Sequence, residues 1–300
     1  MSKKTKFTNR VLSGVVVFIL AIILTIFQDD TQENKNTPAL SNNVDEKVSV
    51  HYIDVGQGDS IFIQSGNSTM LIDAGENDKG DQVVAYLKSQ GVEQLDYVIG
   101  THPHSDHIGG LDTVINNFPV KQVMLPKVTH TTKTYEDVLK AVQKQGLKVT
   151  VPNVGDTYQL GELGITVISP GEDYGDELNN WSIGVIAKYK EVSFLMSGDA
   201  EVDAEQWMVE HNNDISATVL KLNHHGSSTS SSQQFLDAVN PQYVIISLGK
   251  DNKYGHPHKE VMERLEKMNV PIYRTDTMGT IVVSTDGENI SIQTENKSNR

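Results

Sequence analysis

Hydrophobic positions along the chain follow two periods that alternate in a regular order. Short runs rich in β-branched residues predict strands, and runs with apolar residues three or four positions apart predict helices. Three strands come first, over Val48 to Asp54, Ser60 to Gln64 and Thr69 to Asp73. A mixed sheet with helices against it is predicted for this half. Its further elements are helices at Asp81 to Gln90, Ile108 to Asn117 and Thr134 to Gln145, and strands at Leu95 to Thr101 and Lys121 to Leu125.

The same plan restarts after Pro152. Strands are predicted over Ile165 to Ile168, Ser182 to Lys190 and Val192 to Met196, and a helix follows over Ala200 to His211. Two similar halves with their sheets face to face and helices outside form a four-layer αββα sandwich of the α/β class, which is the predicted fold. Periodicity alone leaves an open α/β sheet as the alternative. The remaining elements are strands at Ala217 to Leu222, Tyr243 to Leu248, Thr280 to Val283 and Ile290 to Gln293, and helices at Ser232 to Val239 and Pro257 to Met268.

Residues 1–27 have the pattern of an export signal or membrane anchor. Lys3, Lys4, Lys6 and Arg10 precede an uncharged run from Val11 to Phe27. At about 1.5 Å per residue this run reaches roughly 25 Å, near the short end of the spanning range. No small-x-small cleavage site follows it, which favours an uncleaved anchor in the cytoplasmic membrane over a removed signal peptide. The basic flank stays inside, so the rest of the chain is expected outside the membrane, or secreted if the segment is cleaved.

Composition and charge narrow the possibilities. Residues 28–47 are polar and predict a solvated linker to a folded domain over 48–300. Without the basic flank, 21 Lys and Arg stand against 39 Asp and Glu, a formal charge near −18. This argues against tight, non-specific duplex binding unless basic residues cluster or bound cations compensate locally. The chain has no cysteine, which excludes disulfides, cysteine nucleophiles and thiolate-bound metals.

A dense group of metal-binding side chains follows the predicted strand that ends at Thr101. His102, His104, Asp106 and His107 place three imidazoles and one carboxylate within six positions. Imidazole nitrogen and carboxylate oxygen are ligands preferred by zinc and, less selectively, by manganese or iron. Pro103 disfavours regular structure between the first two histidines, so both can converge from an irregular loop. The segment predicts a metal site.

Further candidate ligands follow predicted strands of the second half. Asp199 stands where an apolar strand meets a helix, and His224 and His225 end the next strand. His256 and His258 follow the strand after that. Taken singly, an Asp before a helix is often an N-cap, and a strand-end histidine is usually structural. Together they are expected to converge with the first group, because α/β architectures gather strand ends at one edge.

These motifs, in this order, resemble the metallo-β-lactamase superfamily. The resemblance rests on Asp73 within Leu71 to Gly75, on the segment from His102 to His107, on Asp199 and on the later histidines. More narrowly, three segments are similar to the hydrolase domain of the ComEC family of competence DNA-uptake channel proteins, over about residues 48 to 285. The resemblance implies a hydrolase domain tethered by one helix, without the multi-helix channel of that family. The three segments are Tyr52 to Ser60, Asn223 to Ser227 and Tyr254 to His258.

The resemblance implies a site for two divalent cations, Zn²⁺ or Mn²⁺. His102 and His104 would bind one cation, and Asp106 and His107 the other. Asp199 would bridge them, and Asp73 would accept a hydrogen bond from a ligand imidazole and fix its tautomer. The remaining protein ligands are expected to be His225 and His256, with His224 and His258 as their alternatives.

One position departs from the superfamily pattern. Many members carry another histidine between the first group and the bridging aspartate, but the only one here is His130, in a Thr-rich loop. Asn179 to Ser182 occupies the expected neighbourhood, and amide or hydroxyl oxygen is a poor zinc ligand. Either His225 fills that place or one cation is held more loosely, which leaves zinc versus manganese open.

The expected chemistry is hydrolysis. Two cations about 3.5–4 Å apart can hold a bridging hydroxide and stabilise the attacked and leaving oxygens. Asp106, His225 and His224 are the expected catalytic residues, and an unligated His224 or His258 could protonate the leaving group. The turn from Gly56 to Ser60 either offers N–H groups to a phosphate or simply joins two strands.

The predicted function is an extracytoplasmic phosphodiesterase or nuclease acting on a phosphodiester, DNA or a component of the cell wall. The alternatives are a cell-wall phosphorylcholine esterase, a lactone or β-lactam hydrolase, and a non-catalytic metal-binding interaction domain. No protein partner is predicted.

Overall fold

The computed structural model describes residues 47–296, which form two facing sheets with helices on their outer sides. The first sheet has eight strands in the order β15-β14-β1-β2-β3-β4-β5-β6. Strands β3 to β6 run parallel, and the other neighbours are antiparallel. Its strands are β1 (Val48–Tyr52), β2 (Ile61–Ser65), β3 (Ser68–Ile72), β4 (Leu95–Ile99), β5 (Val120–Met124), β6 (Val149–Thr150), β14 (Ile281–Thr285) and β15 (Ile290–Thr294).

The second sheet repeats this plan in seven strands ordered β13-β12-β11-β10-β9-β8-β7. Strands β10 to β13 run parallel, and β7 to β10 are antiparallel neighbours. Strands β8 to β13 thus reproduce the directions of β1 to β6, so the predicted duplication is present in the topology. Its strands are β7 (Thr157–Leu160), β8 (Leu163–Ser169), β9 (Gly184–Tyr189), β10 (Val192–Met196), β11 (Val219–Lys221), β12 (Tyr243–Ile246) and β13 (Ile272–Arg274).

Helices cover the outer face of each sheet. The first sheet is covered by α1 (Gly80–Ser89), α2 (Ser105–Ile108), α3 (Leu111–Asn117) and α4 (Lys133–Lys144). The second is covered by α5 (Val202–His211), α6 (Gln233–Val239) and α7 (Lys259–Met268). A single turn, α8 (Thr275–Met278), and two short 3-10 turns, Leu178–Trp181 and Asn223–Gly226, lie in loops.

One apolar layer lies between the two sheets, and one lies between each sheet and its helices. The alternation of side chains along each strand explains these three layers. In β2, Ile61 and Ile63 pack between the two sheets, whereas Phe62 packs against the helices. In β11, Val219 packs between the sheets and Leu220 against the helices. Successive side chains of a strand point to opposite faces, so each sheet buries both of its faces. The predicted αββα sandwich is confirmed, and the open sheet is excluded.

Strands β6, β7 and β13 were not predicted from the sequence. They are two to four residues long and have at most one buried side chain each, so they lack a continuous apolar run. The strand predicted from Ser182 begins at Gly184, because the preceding residues form a 3-10 turn. The membrane anchor predicted over 1–27 and nearly all of the linker lie outside the described residues. Within residues 47–296, no helix combines the length and apolarity that a membrane crossing requires.

Candidate metal centre

The candidate ligands lie at the carboxyl ends of parallel strands from both sheets. Asp73 directly follows β3, and His102 follows β4. In the second sheet, Asp199 follows β10, and His224 and His225 follow β11. Carboxyl ends of neighbouring parallel strands meet at one edge, and the two sheets face each other, so both halves contribute to one site.

Asp73 fixes the imidazole of His107. The Nδ1 of His107 lies 2.8 Å from Asp73 Oδ2, which is the hydrogen bond expected of this aspartate. Thr101 donates to the same carboxylate through its backbone N–H (2.8 Å) and its hydroxyl (2.7 Å). All three residues are buried. Because Asp73 holds the proton of His107 at Nδ1, the Nε2 lone pair faces the site.

Four residues form the compact centre of the site, namely Asp106, His107, Asp199 and His225. Their ligand atoms all lie within 4.8 Å of one another. Asp199 faces both sides of the group, with Oδ2 3.1 Å from His107 Nε2 and Oδ1 3.4 Å from His225 Nε2. The Nε2 of His225 is also 3.6 Å from Asp106 Oδ2. These atoms come from three separate loops, so only the fold brings them together.

Several of these atoms are buried without a hydrogen-bond partner among residues 47–296. They are the Nε2 atoms of His107 and His225 and the Oδ1 of Asp199. An unpaired buried polar atom costs free energy, and such atoms rarely converge without a ligand. A divalent cation accepts electron pairs from imidazole nitrogen and carboxylate oxygen at once. The arrangement therefore fits a cation bound by these four side chains.

The electrostatics of the group agree with a site built to hold positive charge. Burial lowers the pKa of His225, but Asp199 and Asp106 outweigh it and raise the pKa to about 9. Burial raises the pKa of Asp106, but the neighbouring His107 and His225 hold it below its usual range. Without cations, protons on the histidines balance the carboxylates, so a cation must displace protons as it binds.

His102 and His104 lie on the other side of Asp199. His102 is fully buried, with its Nε2 3.9 Å from Asp199 Oδ2. The same Nε2 lies 3.0 Å from His104 Nδ1, and Ser182 Oγ lies 3.3 Å from His102 Nδ1. The two histidines thus face Asp199 but are less tightly grouped with it than the central four residues.

An unusual backbone presents His224 and His225. Both have left-handed φ angles, 46° and 54°, which non-glycine residues seldom adopt. Gly226 continues the turn at φ 83°, and a Cβ there would stand 2.6 Å from the Cβ of Pro257. Such local strain is typical of functional sites. In an extended backbone, consecutive side chains point to opposite faces. The left-handed φ angles prevent this here, so both imidazoles face the same site.

His224 and His225 are held by different partners. The Nδ1 of His225 donates to the Ser247 carbonyl (2.8 Å), which leaves Nε2 for the site. The Nδ1 of His224 lies 3.1 Å from Glu201 Oε1, and its Nε2 lies 3.6 Å from Asp199 Oδ2. Both imidazoles therefore present Nε2 inward, and a carboxylate stands behind His224 as Asp73 stands behind His107.

The two histidines of the next loop have different environments. His256 is half-buried, lines the cavity and has an Nδ1 with no hydrogen-bond partner in the described part of the chain. It stands outside the compact group, with its ring centroid 5.6 Å from His224 and 6.3 Å from His225. His258 uses both nitrogens in loop contacts, with the Ser228 N–H (2.9 Å) and the Tyr254 carbonyl (3.1 Å). Of this pair, His256 is the one placed at the site.

A buried ion pair beneath the site was not predicted from the sequence. Lys221 and Asp59 are fully buried and form an ion pair. Asp59 also lies 3.6 Å from His225 Nδ1 and 3.8 Å from His107 Nδ1. Lys221 lies two positions after Val219, so it points between the sheets like that residue. A lone Lys in an apolar strand and an Asp in a Gly-rich turn were the available signals.

The turn from Gly56 to Ser60 packs directly on the ligand loop. The Asp59 N–H donates to the carbonyl of Asp106 (3.1 Å). At Gly58, where φ is 117°, a Cβ would stand only 2.0 Å from that carbonyl oxygen. The Asp59 N–H is thus engaged within the protein, and the side chain of Gln57 is the part of this turn that lines the cavity.

The site opens to the surface through a cavity of about 280 Å³. Tyr254 stands at its edge with 49 % of its surface exposed, and its ring stacks on His256 at a centroid distance of 5.5 Å. The cavity is large enough for a phosphate with part of its substituents. Its lining comprises Gln57, His104, Ser105, Asp106, Asn179, Asp199, His224, His225, Tyr254 and His256.

The fold and the site together define a protein with the αββα fold of metallo-hydrolases and a group of side chains able to hold a metal ion. The family model of the metallo-beta-lactamase superfamily matches residues 53–250. The chain therefore belongs to the metallo-beta-lactamase superfamily, and the resemblance noted in the sequence is confirmed.

Its curated relatives include competence proteins. The chain is 33% identical to ComE operon protein 3 of Bacillus subtilis (strain 168), over 77% of this chain and 32% of that protein. It is 28% identical to competence protein ComA of Neisseria gonorrhoeae, over 76% of this chain and 31% of that protein. The chain thus spans about a third of the length of these relatives.

A solved structure agrees with the fold. Igni18, a novel metallo hydrolase from the archaeon Ignicoccus hospitalis, superposes with a TM-score of 0.52 at 16% sequence identity. The match covers 78% of this chain and 98% of Igni18. At this identity the likeness concerns the fold alone.

Proposed function

We propose that the chain is a metal-dependent phosphodiesterase that cleaves nucleic acid on the outer side of the cytoplasmic membrane. The observation that carries the proposal is the group of Asp106, His107, Asp199 and His225, whose unpartnered atoms converge at a surface-open cavity. Two divalent cations bound beside Asp199 would supply Lewis-acid chemistry, lowering the pKa of a water and neutralising phosphate charge. The similarity to competence proteins supports nucleic acid as the substrate class.

The protein's own side chains divide the remaining work. Asp199 separates the two groups of ligands and keeps a carboxylate between them. Asp73 keeps His107 in the tautomer whose Nε2 faces the site. Neither group is placed to act as a nucleophile on a phosphate, so their role is to bind and orient.

His224 is the residue best placed to move a proton. Its Nδ1–H is directed at Glu201, so a second proton would sit on Nε2, which faces the cavity. Glu201 also accepts from the Thr229 hydroxyl (2.8 Å), which fixes the carboxylate. Because its Nε2 faces the cavity, His224 is placed to protonate the leaving oxygen of a phosphodiester.

The edge of the cavity supports a nucleic-acid substrate. Tyr254 exposes an aromatic face beside the site, and the Lys253 ammonium lies 5.0 Å from its ring centroid. Bases of single-stranded nucleic acid stack on exposed aromatic rings, while neighbouring cations attract the backbone. On a strongly acidic chain, this combination favours single strands over duplex, which presents no exposed base face.

Purified full-length protein in mild detergent, loaded with Zn²⁺ or Mn²⁺, tests the proposal. Its substrates would be single-stranded DNA, bis-p-nitrophenyl phosphate, p-nitrophenyl phosphorylcholine and a chromogenic β-lactam. Cleavage of the first two is expected. Activity on p-nitrophenyl phosphorylcholine alone would point to the cell-wall phosphodiester, and activity on the β-lactam alone would contradict phosphodiester chemistry. No turnover of any substrate by a metal-loaded, folded protein would favour the non-catalytic metal-binding domain.

Asp199→Ala tests whether turnover depends on the carboxylate between the two ligand groups. It is expected to reduce turnover at least about a hundredfold while the protein stays folded, because the carboxylate between the two ligand groups is lost. Asp237→Ala, which removes an exposed carboxylate on α6, should retain full activity. Equal activity of Asp199→Ala and Asp237→Ala would contradict the proposed site.

A further inference from the structure

The cation position beside His102 and His104 has one protein donor fewer than the position on the other side of Asp199. These two imidazoles and the shared Asp199 supply three donors, whereas Asp106, His107, Asp199 and His225 supply four on the other side. A protein site for a transition metal ordinarily has three or four protein donors in addition to any water. The 3-10 turn Leu178–Trp181, which contains Asn179, lies beside this position.

Asn179 lines the same cavity as His104 and Asp199. Its Oδ1 is buried and accepts no hydrogen bond from the described residues. The amide lies close to the His104 imidazole. An amide oxygen that is buried, unpaired and close to a candidate ligand can donate an electron pair to a cation at this position.

Glu201 determines which end of the amide faces the site. The Nδ2 of Asn179 donates to Glu201 Oε1 at 3.1 Å. Since a carboxylate only accepts hydrogen bonds, the amino group must point toward Glu201, and the oxygen points the other way. The Glu201 carboxylate is itself fixed by Thr229 and by His224 Nδ1. The oxygen of Asn179 is therefore held in place before any cation binds.

We propose that Asn179 Oδ1 is a cation ligand and that Glu201 is its positioning residue. Together with His102, His104 and the shared Asp199, Asn179 completes the second cation position. A neutral amide oxygen is a weaker ligand for zinc than imidazole. The protein consequently binds two cations with unequal affinity, and the weaker position is the one that contains Asn179. This concerns cation binding alone and holds whichever ester is cleaved.

Zn²⁺ titration calorimetry of the metal-free full-length chain tests the assignment. The wild type is expected to bind two ions per chain in two resolved steps. Asn179→Leu, which keeps the approximate volume and removes the oxygen, should weaken the second step at least about tenfold and leave the first unchanged. Asn179→His, which supplies an imidazole, should strengthen the second step about tenfold. Glu201→Ala should weaken it by a smaller factor than Asn179→Leu.

Asn116→Leu is the matched control, because Asn116 is an exposed asparagine on α3 outside the cavity lining. It should reproduce both wild-type steps. An unchanged second step in Asn179→Leu would overturn the assignment. Should that variant lose both steps through misfolding, detectable as a collapsed melting transition, Asn179→His decides: no strengthening of the second step in that folded variant would also overturn it.

Discussion

The residues of the metal centre differ in how visible they are from the sequence. His102, His104, Asp106 and His107 lie within six positions, so their spacing alone indicates a metal site. Asp73 became recognisable only through the order of the motifs, whereas Asp199 was a candidate because it stands where an apolar strand meets a helix. Glu201 gave no signal and Lys221 only that of a lone Lys in an apolar strand, because their roles depend on partners that the fold brings from distant positions. The sequence therefore reveals most of the candidate ligands, but it does not reveal the residues that hold them in place.

Breaking the buried ion pair between Lys221 and Asp59 is expected to lower the stability of the fold. Lys221→Met leaves the buried Asp59 without a counter-charge and is expected to lower the free energy of unfolding by about 3–5 kcal/mol. Adding Asp59→Asn removes the uncompensated charge and should restore most of the loss. Urea unfolding followed by tryptophan fluorescence measures this, because Trp181 and Trp207 both lie in the folded domain.

Lys121 supplies the control for this prediction. It pairs with Asp96 at the surface, where its side chain is 63% exposed. Lys121→Met should change the free energy of unfolding by less than about 1 kcal/mol, since solvent screens exposed pairs. If the two lysine variants lost equal stability, burial of the pair would not explain the effect.

Tyr254 is expected to act on the choice of substrate. Tyr254→Ala removes the exposed ring, so KM for single-stranded DNA should rise by about tenfold, which corresponds to roughly 1–3 kcal/mol of stacking per base. Tyr254→Phe keeps the ring and should resemble the wild type. The turnover of bis-p-nitrophenyl phosphate is the internal reference. A parallel loss on both substrates would mean that Tyr254 supports the loop of His256 instead.

At the scale of elements, most strands were predictable from their buried apolar residues, and the three short strands β6, β7 and β13 were not. Strands β2, β10 and β12 are almost wholly buried, and each contains at least three consecutive apolar residues. In contrast, β7 has alternately exposed positions and is four residues long. The irregular connections escape prediction for another reason. The left-handed pair His224 and His225 follows from contacts of its loop, which local propensity does not contain.

The turn between β1 and β2 offers a test at this scale. Gly58→Ala places a Cβ against the carbonyl oxygen of Asp106 and must push the turn away from the ligand loop. We expect it to destabilise the fold and to weaken cation binding at least about tenfold. Calorimetric metal titration and thermal unfolding report the two effects separately.

Gly66 in the next turn provides a close control. Its φ of 60° is also left-handed, but a Cβ added there would meet no other atom within 4 Å. Gly66→Ala should therefore cost only about 1–2 kcal/mol for the backbone and leave cation binding unchanged. Weakened cation binding in Gly66→Ala would show that backbone strain in a turn weakens cation binding even without a contact with the ligand loop.

At the scale of the whole molecule, the repeated order of elements was enough to predict two halves and four layers. It was not enough to assign the last two strands. The β14–β15 hairpin joins the first sheet, where β14 pairs with β1 from Val48↔Thr285 to Tyr52↔Ile281. This pairing connects the two ends of the domain across more than two hundred residues, and periodicity carries no information about such a long-range choice.

The predicted anchor is tested on the whole chain in a bacterial host. The full-length protein is expected in the membrane fraction and should be degraded by protease added to cells whose outer layers are permeable. A chain without residues 1–27 should remain soluble and protected inside the cell. Full-length protein that is soluble and protected would contradict the anchor, without affecting the metal centre.

The carboxylates beneath the cavity make substrate binding and cation binding depend on each other. Asp59, Asp73, Asp106 and Asp199 carry four negative charges, Lys221 offsets one, and protons on His107 and His225 offset two, so the empty pocket stays negative and repels a phosphodiester. Two divalent cations that displace these two protons would change the local charge from −1 to +1. Thermodynamic linkage would then require that a bound phosphodiester also tighten the hold on the cations by the same factor. On the proposed function, the pocket becomes attractive to its substrate only after loading, and the substrate in turn retards metal loss.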